Sequence, residues 1–101
     1  MFSRVARYKI PEENLEEAVR SFEEAVEDLR GLGGSQGGYL LVDRDNSTAL
    51  TVTFWDSRAS MEASEVQASR LRMQAVSPHG GEIVAVDRCE VALDFSELAR
   101  T

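Results

Sequence analysis

Hydrophobic periodicity in this chain alternates between the strand and helix repeats in one order: strand, helix, strand, strand, helix, strand. That order specifies an α+β fold of the ferredoxin-like βαββαβ kind, a four-stranded antiparallel sheet with two helices on one face. The clearest element is the first helix. Leu15, Ala18, Val19, Phe22, Ala25, Val26 and Leu29 recur at helical spacing without a miss. Asn14 and Glu17 have the spacing of a capping box. Glu12, Glu13, Glu16 and Glu17 suit the positive end of the helix, and Arg30 and Gly31 supply the C-terminal signals.

Phe2 to Ile10 reads as the first strand, stopped by Pro11, which has no N–H to donate. Gly31 to Gly38 is a glycine-rich connector, a candidate pocket lip. Its spacing and its place between a helix and a strand match neither nucleotide-binding loop pattern. Tyr39 to Asp43 and Thr48 to Asp56 form a hairpin around Asp45 and Asn46. A second helix is predicted from an N-cap at Ser57 to about Val76. Its small and sparse apolar positions (Met61, Ala68, Leu71, Ala75) imply that it packs more shallowly than the first helix or closer to the sheet. Ser77 and Pro78 end it, Glu82 to Phe95 is the last strand, and Ser96 to Thr101 a short tail.

With 101 residues there is one domain, residues 1–101, and no second core. A net charge of -7 and dispersed basic residues argue against a nucleic-acid partner. No apolar run approaches the roughly 20 residues that span a bilayer. Cys89 is the single cysteine, so an intramolecular disulfide and a cysteine-based zinc cluster are excluded, which fits a reducing cytosol. The expectation is a cytoplasmic protein with no membrane contact.

Two helices cover one face of such a sheet, and the other should then be polar if it meets water. Alternation places Tyr39 and Leu41 opposite Leu40 and Val42. It places Leu50, Val52 and Phe54 opposite Ala49, Thr51, Thr53 and Trp55. Ile83, Ala85, Cys89, Val91, Leu93 and Phe95 oppose Val84, Val86 and Ala92. Both faces are apolar, so a homodimer packed through the sheet face is expected, with the last strand long enough to reach the partner.

The stretch Gly37-Gly38-Tyr39-Leu40-Leu41-Val42-Asp43, followed by Leu50 to Ser57 and Met61-Glu62-Ala63, resembles the antibiotic biosynthesis monooxygenase family. The resemblance runs from about Phe2 to Phe95. It implies a dimeric α/β barrel with a pocket between helices and sheet in each subunit. It also implies, for some members, oxidation of aromatic or quinol substrates by dioxygen with no added cofactor. Members that degrade haem use an Asn on the first strand, a Trp ending the third and a His on the second helix. Here Trp55 matches, but Phe2 to Ile10 has no Asn and the second helix no His, so iron would lack its axial ligand.

Six residues are candidates for a site. Trp55 could stack on a flat ligand or simply anchor the core. His79, the one histidine, and Asp87, expected on an apolar strand face, are the candidate bases. His79 has no partners at metal-ligand spacing, and no metal is expected. Arg4 or Arg7 could instead neutralise Asp87 in a salt bridge. Tyr8, Tyr39 and Arg4 are candidate hydrogen-bond donors to a small aromatic ligand, and Cys89 reads as an inert buried thiol. No cofactor is called for. The alternatives to a cofactor-independent monooxygenase are a non-catalytic small-ligand-binding dimer and a structural dimer. A cavity below a few hundred Å3 would favour the last.

Overall fold

The computed structural model describes residues 1–96. Its elements are β1 (Phe2–Lys9), α1 (Leu15–Arg30), β2 (Ser35–Asp43), β3 (Thr48–Trp55), α2 (Arg58–Ala63), α3 (Glu65–Val76) and β4 (Glu82–Glu90). The strands form one antiparallel sheet in the order β2-β3-β1-β4, the ferredoxin-like topology that the periodicity predicts. The core lies between the sheet and the helices. There Ala6, Tyr8 and Ile10 from β1 and its end meet Leu15, Ala18 and Phe22 of α1, Ala49 of β3, and Ala75 and Val76 of α3.

The second helix is not continuous; it breaks at Ser64. The Met61 carbonyl accepts hydrogen bonds from the Arg4 guanidinium and from the Ser64 hydroxyl, so side chains intrude on the backbone ladder at that turn. Ser57 is the N-cap of α2, its Oγ accepting from the Ser60 N–H at 3.1 Å. The capping box at Asn14 does not form. Asn14 Nδ2 donates instead to the His79 carbonyl at 2.9 Å, tying the start of α1 to the turn before β4.

The second strand begins at Ser35, inside the expected glycine connector. Gly34 makes that entry possible: its φ is +82°, and a Cβ there would lie 2.4 Å from Ser60. The last strand ends at Glu90 rather than at the expected Phe95, and Val91 N donates to Met1 O just beyond it. The rest of the expected tail, residues 97–101, lies outside the described residues.

One register shift changes which residues face the helices. Pairing between β1 and β4 slips between Arg7 and Tyr8, with Ala85 opposite Arg7 but Ile83 opposite Tyr8. Val84 is the extra residue of this bulge. Ile83 and Val86 therefore pack on the core, whereas Ala85, Asp87 and Cys89 share the helix-free face. The expectation that Ile83 and Asp87 share a face is corrected on this ground. Cys89 is also exposed rather than buried. On β2 and β3 the alternation holds: Leu40 and Val42 pack against the core, while Tyr39 and Leu41 are half exposed beside Leu50, Val52 and Phe54.

Candidate functional site

Where the sheet and the two long helices diverge, they enclose a cavity of about 20 Å3. Its sheet wall is Arg4 of β1 with Thr51, Thr53 and Trp55 of β3. Its helix walls are Phe22, Ala25 and Leu29 of α1 and Ala68, Leu71 and Arg72 of α3. Register explains the sheet wall, because Arg4 is opposite Thr53 and Trp55 is two residues on, so all point to one side. The volume is enough for about one water molecule. This closed form thus falls below the few hundred Å3 that an aromatic ligand needs. Leu71 lines both the cavity and a larger surface groove of about 490 Å3 between the end of α1 and α3. That one half-buried side chain therefore borders both spaces. Gly31 and Leu32 of the glycine connector form one edge of the groove.

Trp55 is 1% exposed, and its Nε1 donates to Thr53 Oγ1 at 3.0 Å. The Arg4 guanidinium lies 5.2 Å from the centre of the indole, within cation–π reach. Arg4 is itself 2% exposed and anchored through one nitrogen, which donates to Ser64 Oγ at 3.0 Å and Glu65 Oε2 at 2.9 Å as well as to Met61 O. Glu65 also receives Arg88 from β4. The hydrogen bond from Arg88 holds the Glu65 carboxyl below the usual carboxylate range, although partial burial opposes this. Burial pulls the Arg4 guanidinium below its ordinary value; Glu65 counters and Arg72 adds to the fall. Arg72, 7% exposed, makes no hydrogen bond or ion pair with any described residue, and its Nε is buried without a partner.

Tyr8 stands one step behind the cavity. Its hydroxyl shares a 2.8 Å hydrogen bond with Thr51 Oγ1, a lining residue, and its ring is 5.4 Å from that of Phe22. Burial pushes the phenol up to about 12, so it stays protonated at neutral pH.

The other sequence candidates lie elsewhere. Tyr39 is on the helix-free face, packed edge-on to Phe54. Asp87 is exposed on that face beside Val5, and it forms no ion pair with either Arg4 or Arg7 among the described residues. His79 sits by the first half of α1, with Nε2 2.8 Å from Ser21 Oγ and Nδ1 3.6 Å from Glu17 Oε2. Those three groups have the order of a hydrolase triad, but Ser21 is in mid-helix and lines neither cavity nor groove. Their bonds staple the turn to α1. Among the described residues no group of three or more His, Cys, Asp or Glu is arranged to hold a metal ion. No described helix is long and apolar enough to cross a membrane.

The family model for antibiotic biosynthesis monooxygenases matches residues 1–75. The chain belongs to this family. Two curated relatives, uncharacterized proteins from two strains of Mycobacterium tuberculosis, are each 28% identical over 94% of this chain. The chain spans only 42% of their length. Among solved structures, a protein from Deinococcus radiodurans designated an antibiotic biosynthesis monooxygenase superposes with a TM-score of 0.76 at 11% identity. That match covers 97% of this chain and 99% of that one. The haem degrader MhuD from Mycobacterium tuberculosis, solved with two haems in its active site, superposes with a TM-score of 0.72 at 17% identity. It covers 95% of this chain and 100% of that one. At such identities the likeness is one of fold.

No imidazole, thiolate, thioether or phenol lines the cavity, so a haem would meet no axial ligand there. Sequence reading finds Trp55 and Arg4 but misses Arg72, Thr51, Thr53, Ser64 and Glu65. A signal for Arg72 is present, because it follows Ala68 by four residues and precedes Ala75 by three, on the apolar stripe of α3.

Proposed function

We propose that this family member works as a homodimer in which each subunit binds a small aromatic or quinol-like molecule between sheet and helices and oxidises it with dioxygen, without an added cofactor. The observation that carries this reading is the cavity walled by the Trp55 indole and side chains of α1 and α3, which shares Leu71 with an open groove. Movement of Leu71 would join the two spaces. Trp55 would stack on the ring, and the Tyr8–Thr51 pair and Arg4 would orient its oxygens. In the oxidation, the ionised substrate carbon passes an electron to dioxygen and the radicals combine to a peroxide. One oxygen stays as the new carbonyl and the other leaves as water. Oxygen uptake with anthrone-like or quinol substrates tests this, and binding without uptake would leave a non-catalytic binding protein. Asp87→Asn and His79→Ala test the two expected bases; turnover that survives both gives neither an acid–base role.

The helix-free face supports the dimer. Tyr39 and Leu41 are 51% and 50% exposed and continue across Leu50, Val52 and Phe54 to Val5. Beyond β4, Leu93 and Phe95 are also exposed and within the chain's reach of a partner. Light scattering that gives a monomer at micromolar concentration overturns this assembly. A second reading, a structural dimer without ligand, is favoured by the small volume of the closed cavity.

A further inference from the structure

The charges around the cavity do not balance. Two guanidiniums, those of Arg4 and Arg88, share the one carboxylate of Glu65, and a third, that of Arg72, lines the cavity beside Arg4; the two that line the cavity are the most buried of the three. Glu65 is shared between Arg4 and Arg88, so nothing among the described residues neutralises Arg72. Arg4 and Arg72 also repel one another, which adds to the fall that burial imposes on the Arg4 value. Each keeps a buried Nε–H with no acceptor. A buried donor left unmade is costly, and a buried unpaired charge more so. Native folds keep such groups where a ligand completes them.

We infer that the cavity is an oxyanion site, in which Arg4 and Arg72 together hold the carboxylate or the ionised phenol or enol oxygen of the planar ligand. This rests on the reading of the cavity as a ligand pocket and names the ligand's charge. The apolar side of the lining (Phe22, Ala25, Leu29, Leu71) takes the ligand's carbon skeleton, and the two guanidiniums its negative end. The arrangement also gives the site a way to ionise a substrate although no carboxylate or imidazole lines it. Two cations beside a phenol or enol stabilise its conjugate base, and the proton leaves to solvent.

The test compares charged and neutral probes of one shape: benzoate against benzamide, and 4-nitrophenolate against 4-nitroanisole at a pH where the phenol is ionised. Binding is read by calorimetry and by fluorescence of Trp55, the only tryptophan. The anion of at least one pair should bind about tenfold tighter or more than its neutral partner, as expected for charge-assisted bonds in a desolvated site. Which pair shows the preference identifies a carboxylate or a phenolate as the natural group. Arg72→Met should bring the ratio close to one, while Arg72→Lys keeps part of it. Equal binding of anion and neutral probe to the native protein overturns the oxyanion site but leaves the pocket standing. A preference that persists in Arg72→Met overturns the assignment to Arg72. If neither member of either pair binds, even to an opened Leu71→Ala variant, the pocket reading fails and the oxyanion site with it.

Discussion

Replacing Arg72 by methionine should make this protein more stable. Arg72 is 7% exposed, and among the described residues it pairs with no carboxylate and its buried Nε–H finds no acceptor. A buried donor without a partner costs about 1–3 kcal/mol. Exchange of buried ionic groups for apolar side chains of similar volume is neutral to stabilising by about 1–4 kcal/mol. Methionine keeps the unbranched stem between Ala68 and Ala75, so little packing is lost. Removing Arg72 also lifts its repulsion from Arg4. The net gain expected is about 1–2 kcal/mol, or roughly 4–8 °C in Tm for each kcal/mol at this chain length. Urea unfolding followed by far-ultraviolet circular dichroism measures it, at one fixed protein concentration because a dimer's stability depends on concentration. Arg72→Ala is the control; it removes the charge and the stem together and should gain less. A loss of about 1 kcal/mol or more in Arg72→Met, at unchanged m-value, would refute the reasoning, since the guanidinium would then have a partner when folded. A gain in stability joined to a loss of anion binding is the signature of a group retained for function.

Three further outcomes follow from particular contacts. The Tyr8 phenol is raised to about 12 in the folded chain against 10.0 for its ordinary value. The folded state therefore holds this proton more tightly, and the stability it contributes is complete below pH 10 and falls as pH rises from about 10 to about 12. Tyrosinate absorbance and stability measured over that range should show the step for the native protein and lose it in Tyr8→Phe. Ser57→Ala removes the N-cap of α2 and should lower stability by about 1 kcal/mol in the same urea experiment. Gly38→Ala puts a Cβ 2.2 Å from the Val52 carbonyl oxygen, a backbone atom of β3, so the hairpin must shift; a loss of about 1–3 kcal/mol is expected, and an unchanged midpoint would show that the strands part freely.

The order of elements and the stripe of α1 are legible in the sequence because they depend on local spacing. Leu15, Ala18 and Phe22 are the buried residues of α1, all on the predicted stripe. What escapes a one-dimensional reading depends on contacts between distant segments. The break at Ser64 is caused by Arg4, which belongs to the far end of the chain in sequence. The face of Asp87 is reversed by the extra residue Val84, and a slip of one residue turns every following side chain to the other side. Of the residues that line the cavity, Trp55 is raised in the sequence by the family resemblance and its place at a strand end, and Arg4 as one candidate hydrogen-bond donor on β1. Arg72 escapes because arginine on an apolar stripe reads as an ordinary solvent-reaching side chain.

The sheet divides the proposed activity between its faces through a single strand. In β3, Leu50, Val52 and Phe54 face the open side, and Thr51, Thr53 and Trp55 alternate with them toward the cavity. In the proposed dimer, a partner packed on the first set would hold β3 rigid and so fix the Trp55 indole and the threonine hydroxyls in place. Any opening of the cavity must then come from the helix side. There α3 joins the short α2 at a break and meets the sheet chiefly through small residues, Ala68 and Ala75, and the charged Arg72. Leu71 is the residue such a movement would displace, since it lines the cavity and the groove alike. In the proposed oxyanion site, an anion between Arg4 and Arg72 would offset the repulsion between the two guanidiniums and so favour the helix held against the sheet.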